Sequence, residues 1–264
     1  MSWRADALAV WAVVVRNALM ASRNVFFFFE LLFWPIVGVV SIGLMTRFLG
    51  LSAPQASFVL IGTIALSVVN VCQLDVAYAV LMDVWSKSIK HQFLAPIGIR
   101  HLSVGSWLVG MVRGGVLFAL LAVLGWWAFG FRVFAAGGAA VAAFLLGCFL
   151  TAWIVGVLVC ALITLFGNRA ESFAWASVNL VLVLAGIYYP VSLLPGPAAA
   201  VARAIPLTYF LDAYRSHFGF ASEFAAPVAT GLALAVVYAI VAHLAFYACV
   251  QRARRTGLLL KMSE

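Results

Sequence analysis

Long apolar blocks separated by short polar stretches make up most of the chain. A helix needs about 20 apolar residues to cross the roughly 30 Å hydrocarbon core of a bilayer. Six blocks approach or exceed that length, over residues 25–46, 58–82, 108–131, 138–166, 173–189 and 227–250. In lipid, a helix satisfies its own backbone hydrogen bonds. The pattern therefore predicts an all-α, polytopic integral membrane protein with six transmembrane helices, organised as one domain over residues 1–264.

The fourth block is the longest, because residues 133–168 contain no charged side chain. As one helix, these 36 residues would extend about 54 Å. Two spans with a turn would need more residues, and no Pro or Asn interrupts the centre of the run. We therefore predict one long helix over residues 138–166.

The first 24 residues differ from these blocks because arginines interrupt them. Trp3 and Trp11 suit a membrane interface, where an aromatic ring meets both lipid and water. We predict that residues 1–24 form an interfacial helix before the first span, with a frayed tail as the alternative. No small-residue cleavage site follows the apolar run, so we expect this segment to be retained.

The composition agrees with a membrane protein and excludes several other classes. Of the 264 residues, 66% are hydrophobic and 9% are charged, whereas soluble domains carry about 25% charged residues. A soluble enzyme, a disordered protein and a disulfide scaffold are therefore excluded. The net charge of +8 accompanies no basic patch interleaved with exposed aromatics, so nucleic-acid binding is not expected.

The positive charges instead indicate the orientation of the chain. With the N-terminus in the cytoplasm, the inner connections and tails hold eleven Lys and Arg residues, and the outer connections hold four. Because Lys and Arg collect on the cytoplasmic side, we predict that both termini are cytoplasmic, including the tail over residues 251–264. The expected location is the bacterial cytoplasmic (inner) membrane, as a multi-pass protein.

Sequence motifs for catalysis and for nucleotide binding are absent. The chain contains no G-x-x-x-x-G-K-[ST], no H-E-x-x-H and no G-x-S-x-G. Its four cysteines lie in apolar stretches and form no C-x-x-C pair, which is typical of small buried hydrophobic residues. We therefore predict no catalytic residue, no metal site and no cofactor in this chain.

Ionisable residues within the predicted spans are few, and such residues are functional candidates by default. They are Glu30, Asp75, Arg113, Glu171 and His243. Most lie near the ends of spans, which favours interfacial anchors and local pairs. Among them we single out Glu30, near the start of the first span, and we predict an intramembrane polar pair with Arg23, with Arg16 as another possible partner.

The cytoplasmic connection after the second span has an amphipathic pattern. Trp85, Ile89 and Phe93 recur at i, i+4 and i+8, which places them on one stripe of a helix. We predict a surface helix over residues 83–94 whose apolar face binds a partner, with an ordinary solvated loop as the alternative. The candidate contact residues are Asp83, Trp85, Lys87, Ile89, Lys90, His91 and Phe93.

The outer connection over residues 190–226 is the longest, and it holds four of the eight prolines. Residues 198–205 are too apolar for a free loop. We predict short helices here that re-enter the outer leaflet, between spans five and six. Non-helical backbone at that depth needs shelter by protein or by a water-filled cavity, so this segment is a candidate for a pathway exit or a subunit contact.

These two connections resemble a known family. The outer segment has a Gly followed by aromatics, two spaced prolines, then Pro-Leu-x-Tyr and a closing Arg. The residues that match are Gly186, Tyr188, Tyr189, Pro190, Pro195, Pro206, Tyr209 and Arg215. Residues 89–96 and the Gly-Arg-Gly element within residues 110–115 are similar as well. In order, length and span count, the chain resembles permease subunits of type-2 ABC exporters, which export O-antigen, teichoic acid, capsule, nodulation factors or drugs.

The resemblance implies a mechanism. Such permeases have no ATPase activity; they pair with a second copy and with two copies of a P-loop ATPase subunit, which holds the ATP and Mg. Residues 83–94 would be the coupling helix seated in that subunit. The implied substrate is amphipathic, such as a lipid-linked glycan, a drug or a lipid, and membrane lipids surround the protein.

Two other function classes remain at this point. One is a secondary carrier or channel without an ATPase, which usually needs charged groups at the midplane and broken helices in matching halves. The other is a membrane enzyme that acts on lipid, which would need a polar active site. Neither feature is evident in the sequence.

Overall fold

A computed structural model describes residues 3–94 and 97–258, and these residues are almost entirely helical with no strand among them. Side chains at positions 26–28, 30, 90, 93, 94, 168 and 182 lie outside this description. The helices are α1 (Trp3–Arg23), α2 (Val25–Phe48), α3 (Ala53–Trp85), α4 (Ile89–Leu94), α5 (Ile99–Phe129), α6 (Gly138–Phe166), α7 (Glu171–Leu184), α8 (Gly196–Arg203), α9 (Pro206–Arg215) and α10 (Pro227–Arg255).

The predicted all-α, polytopic fold is confirmed. Within the described residues, six helices are long and apolar enough to cross a membrane, and they are α1, α2, α3, α5, α6 and α10. This set differs from the prediction in two members. It includes α1, and it leaves out the predicted fifth span over residues 173–189.

The predicted fifth span is shorter than expected because its helix stops early. α7 has 14 residues, which corresponds to about 21 Å. Gly186 has φ +67, a left-handed conformation that ends a helix, and Pro190 follows four residues later. The sequence block continues to Tyr189, but its last residues are not helical.

Polar caps extend two helices beyond their apolar blocks. α3 begins at Ala53 rather than 58 because the backbone N–H of Ser52 donates to Gln55 Oε1 over 3.0 Å. α5 begins at Ile99 rather than 108, and the Gly98 N–H donates to His101 Nδ1 over 2.9 Å. Such bonds satisfy groups at a helix start that have no partner within the helix. The prediction for α6, residues 138–166, is confirmed.

The core of the bundle surrounds α3, which packs against α2, α5 and α6. Glycines allow the close approaches. A methyl group added at Gly156 of α6 would lie 2.6 Å from Val76 Cβ, and one added at Gly110 of α5 would lie 3.0 Å from the Cys72 carbonyl oxygen. Small residues at such crossings are typical of helices that pack within membranes.

α1 is an ordered helix that packs against the neighbouring ends of α3 and α5, so the alternative prediction of a frayed tail is wrong. Asn17 Nδ2 donates to Ser106 Oγ over 2.7 Å, and Arg16 donates to Asp83 over 3.1 Å. Most of its surface is exposed, including Trp3 and Trp11. Its interfacial position stays a prediction, because its length and composition also suit a span.

Candidate functional site

The predicted helix over residues 83–94 is interrupted. α3 continues through Asp83 to Trp85, and the six-residue α4 begins at Ile89. The single apolar stripe of Trp85, Ile89 and Phe93 is therefore wrong as a geometric prediction. Trp85 ends one helix, whereas Ile89 begins the next.

A tight helix end separates α3 from α4. The Ser88 N–H donates to the Asp83 carbonyl over 2.8 Å, and the Lys87 N–H donates to the Val84 carbonyl over 3.1 Å. These two bonds form a Schellman motif, with Lys87 in the left-handed conformation at φ +56. Glycine usually occupies that position, so a lysine there gives no sequence signal for a break.

Side-chain bonds link this connection, residues 83–94, to two other parts of the chain. Asp83 accepts from Arg16 of α1 over 3.1 Å, and Ser88 Oγ donates to Asp83 over 3.0 Å. Trp85 Nε1 donates to Glu171 at the start of α7 over 3.1 Å. The connection therefore bridges α1, α3 and α7 at one end of the bundle.

The predicted contact residues have different surroundings. Trp85, Lys87 and His91 are exposed, and Asp83 is half-buried. Ile89 is fully buried in the core of the chain, so it anchors the connection and is not available to a partner. The side chains of Lys90 and Phe93 lie outside the described residues.

The outer segment forms two short helices, and the prolines set their starts. Pro190 precedes a 3₁₀ turn, Pro195 precedes α8, and Pro206 is the first residue of α9. At Pro206, the fixed φ favours the first helical turn and the missing N–H is not needed, whereas Pro190 and Pro195 are extended residues just before their helices. The expectation of short helices between the fifth and sixth predicted spans is confirmed.

α9 lies inside the protein. Methyl groups added at Gly147 of α6 or Gly231 of α10 would collide with the Phe210 ring. Gly147 is the tenth residue of α6, about 14 Å from the start of that helix. Re-entry into the outer leaflet stays a prediction, and this depth of packing agrees with it.

Arg215 closes α9 and is almost completely buried. Its guanidinium donates to the carbonyl oxygen of Gly186 over 2.7 Å and to that of Phe58 over 3.1 Å, and it also bonds the Ile187 carbonyl. Gly62 of α3 faces the same carbonyl of Ile187, where a methyl group would collide with it. Arg215 thus joins α3, the end of α7 and α9.

The charge of Arg215 is maintained despite its burial. Burial lowers the pKa of its guanidinium to about 9, and the carboxylates of Asp212 and Glu223 act in the opposite direction. The group is therefore protonated at neutral pH. A buried cation requires such partners, because an uncompensated charge in a low-dielectric interior is costly.

The tyrosines of the outer segment bond nearby backbone. Tyr209 donates to the Arg203 carbonyl over 2.8 Å, and the Tyr189 hydroxyl donates to the Val183 carbonyl. Tyr188 is partly buried beside the core. Tyr214, which the sequence did not single out, is buried and donates to the Val133 carbonyl over 2.6 Å. The bonds of Tyr209 and Tyr214 fix α9 to the end of α8 and to the 3₁₀ turn at Val133–Ala136.

The described residues form ion pairs that the sequence did not predict. The side chain of Glu30 lies outside the described residues, so its pairing with Arg23 stays a prediction, whereas Arg16 pairs with Asp83. Arg113 of α5 donates to Asp75 of α3, and both side chains are largely buried. Sequence alone gave no signal for that partnership, since 38 residues separate its members.

The described residues contain no group of three or more His, Cys, Asp or Glu arranged to hold a metal ion. Three cysteines, Cys72, Cys148 and Cys160, are buried thiols within helices, as their apolar surroundings predicted. The polar side chains described above form hydrogen bonds and ion pairs that hold the helices together.

No curated protein matches the chain in sequence. The family described as ABC-2 type transporter matches residues 8–218, a stretch that includes most of α1, the connection at residues 83–94 and the whole of α9. Family members of this kind are the transmembrane subunit and imply an ATPase subunit as partner. The chain therefore belongs to the ABC-2 type transporter family and is a permease subunit of an ABC transporter.

Proposed function

We propose that this permease is part of an ATP-driven exporter that moves an amphipathic substrate out of the cytoplasm or the inner leaflet. It works with a second copy of itself and with two P-loop ATPase subunits. Family membership supports an ATPase partner. Family membership does not extend to the export direction, the copy numbers or the substrate class. These parts of the proposal rest on the resemblance of the two connections to type-2 ABC exporters.

The single observation that carries the proposal is the contact between the exposed Trp85 and α7. Trp85 is 41% exposed, and its Nε1 donates to Glu171 at the start of α7. An exposed indole is a common anchor at protein interfaces. The 3₁₀ turn at Gly167–Ala170 directly precedes Glu171, so two connections present one surface to a partner.

The hydrogen bonds of this connection couple it to the neighbouring helices. Trp85 ends α3 and contacts α7, while Asp83 contacts α1 through Arg16. A displacement of the connection by the ATPase would therefore reach three helices directly. Rigid helices that share such contacts move together more readily than they bend.

The proposed substrate class is supported by the apolar surface of the chain. Large apolar side chains are exposed along α5, α7 and α10, and the described residues present no metal cluster. An amphipathic molecule, such as a lipid-linked glycan, a lipid or a drug, suits a route bounded by such helices.

The proposal is tested by Trp85→Ala in the complex with the ATPase. Truncating an aromatic anchor commonly costs about 2 kcal/mol or more, or roughly thirtyfold in affinity. We expect weaker co-purification of the ATPase and loss of transport, with the permease still inserted. Trp126→Ala is the matched control, because Trp126 is also exposed but lies at the far end of α5.

Two further variants separate docking from internal damage. Glu171→Ala removes the bond to Trp85 but keeps the exposed ring, so it should retain more ATPase than Trp85→Ala. Replacement of the P-loop lysine in the partner should abolish transport. Continued transport without ATP hydrolysis would instead favour the secondary carrier or channel.

A further inference from the structure

A large apolar cavity lies between α1 and α5. Its volume is about 1090 Å³, and its walls include Val14 and Ala18 of α1 and Val112 and Val116 of α5. Leu31 of α2 closes one side. The cavity is separate from the connection at residues 83–94 and from the outer segment, so neither candidate site accounts for it.

Charged groups border the cavity at one end. Asp6, Arg100 and His101 lie there, with Arg100 donating to Asp6 over 2.7 Å. The Arg100 side chain is 57% exposed, and a guanidinium has five N–H donors. Donors therefore remain for a further acceptor beyond Asp6 and His101.

Positive charge is in excess around this end. The cations at this end are Arg4 of α1 and Arg100 of α5, against one carboxylate, Asp6, while Arg16 further along α1 is paired with Asp83. An anionic group near Arg100 would therefore meet a favourable potential. Arg113 also borders the cavity but is paired with Asp75 of α3, and most of the other lining residues are apolar.

We propose that this cavity binds the acyl chains of an anionic membrane phospholipid, with the phosphate of the headgroup near Arg100. α5 is long and apolar enough to cross the bilayer, so the open side of the cavity faces lipid. A water-soluble ligand would need several convergent polar groups.

The proposal goes beyond the proposed function, and its test does not require transport. The purified permease is reconstituted in nanodiscs of equal phosphatidylglycerol and phosphatidylcholine, extracted with mild detergent and washed. Retained lipid is then quantified by mass spectrometry. Wild-type protein should retain phosphatidylglycerol in preference, because Lys and Arg near a membrane surface attract anionic lipid.

Two variants fill the cavity, and each has a matched control. Val112→Trp occupies it from α5, while Val123→Trp alters the same helix outside it; the two valines are 68% and 61% exposed. Val14→Trp fills it from α1, while Val15→Trp changes a neighbouring residue that does not line it. We expect severalfold less retained phosphatidylglycerol for Val112→Trp and Val14→Trp and no change for the controls.

The headgroup is tested by Arg100→Gln against Arg132→Gln, an exposed arginine at the other end of the bundle. Removing one cation near the surface should lower retention about fivefold, and Arg132→Gln should leave it unchanged. Equal retention of the two phospholipids by wild-type protein would overturn the proposal. So would unchanged retention in both cavity-filling variants when they remain folded and monodisperse.

Discussion

The guanidinium carbon of Arg215 lies 3.4 Å from the centroid of the Phe58 ring, and the same group donates to the Phe58 carbonyl oxygen. One side chain thus stacks on α3 and bonds its backbone. Because Arg215 also bonds the Gly186 and Ile187 carbonyls, it serves as the joint where three parts of the outer end meet.

Arg215→Lys should destabilise the permease. An ammonium group has no planar fork of donors and stacks poorly on a ring, so it cannot replace all of these contacts. Hydrogen bonds to charged groups contribute about 1.5–3 kcal/mol, and we expect a loss of about that size. Thermal unfolding in nanodiscs measures it, with the exposed Arg203→Lys as control. Equal unfolding midpoints for the two variants would contradict the joint.

Gly62→Ala should be harmful for a different reason. The added methyl group would collide with the Ile187 carbonyl and lie 3.0 Å from an Arg215 nitrogen. Overpacking of this kind costs about 1–3 kcal/mol. Gly115→Ala is the control, since nothing lies within 4 Å of its added methyl group, and it should be neutral or stabilising by up to about 1 kcal/mol. The comparison fails if both variants unfold at the same temperature.

Asp75→Asn should destabilise the bundle by removing the counter-charge of Arg113. Breaking one partner of a buried ion pair costs about 3–5 kcal/mol, while replacing both partners is often better tolerated. The yield of folded protein and the unfolding midpoint should therefore fall in Asp75→Asn and recover partly in Asp75→Asn with Arg113→Gln. A double variant less stable than the single one would argue against this account.

The orientation of the chain is tested by reporter fusions. Fusions at Leu51 and Gly196 should report the outer side, and a fusion at Lys87 should report the cytoplasm. The reason is the excess of Lys and Arg in the connections assigned to the inner side. A cytoplasmic signal at Leu51 or at Gly196 would reverse or break the predicted topology.

Continuous apolar length predicted much of the fold. The limits of α6 match because glycines and a charge-free run define both ends. α7 was overestimated because hydropathy does not register the left-handed Gly186. The apolar period of 3.6 residues likewise led to a predicted helix that continued past Trp85. The left-handed conformation of Lys87 ends α3 there, and a lysine gives no sequence signal for that conformation.

The contacts of the candidate site were less predictable. In the sequence, Arg215 was one of four positively charged residues in the outer connections and the closing residue of a motif. Neither feature indicated that it is buried or which carbonyl groups it bonds. The bond between Trp85 and Glu171 joins residues 86 positions apart. Pairings of that kind depend on how helices cross, and a single sequence carries no direct signal of it.

The short α7 has a consequence for the lipid around it. At about 21 Å it is shorter than a hydrocarbon core of about 30 Å, so as the predicted fifth span it would leave a hydrophobic mismatch. Bilayers accommodate mismatch by thinning, at fractions of a kcal/mol per Å. We therefore expect the packing around Gly186 and Arg215 to be most stable in thin membranes, so that its stability depends on bilayer thickness.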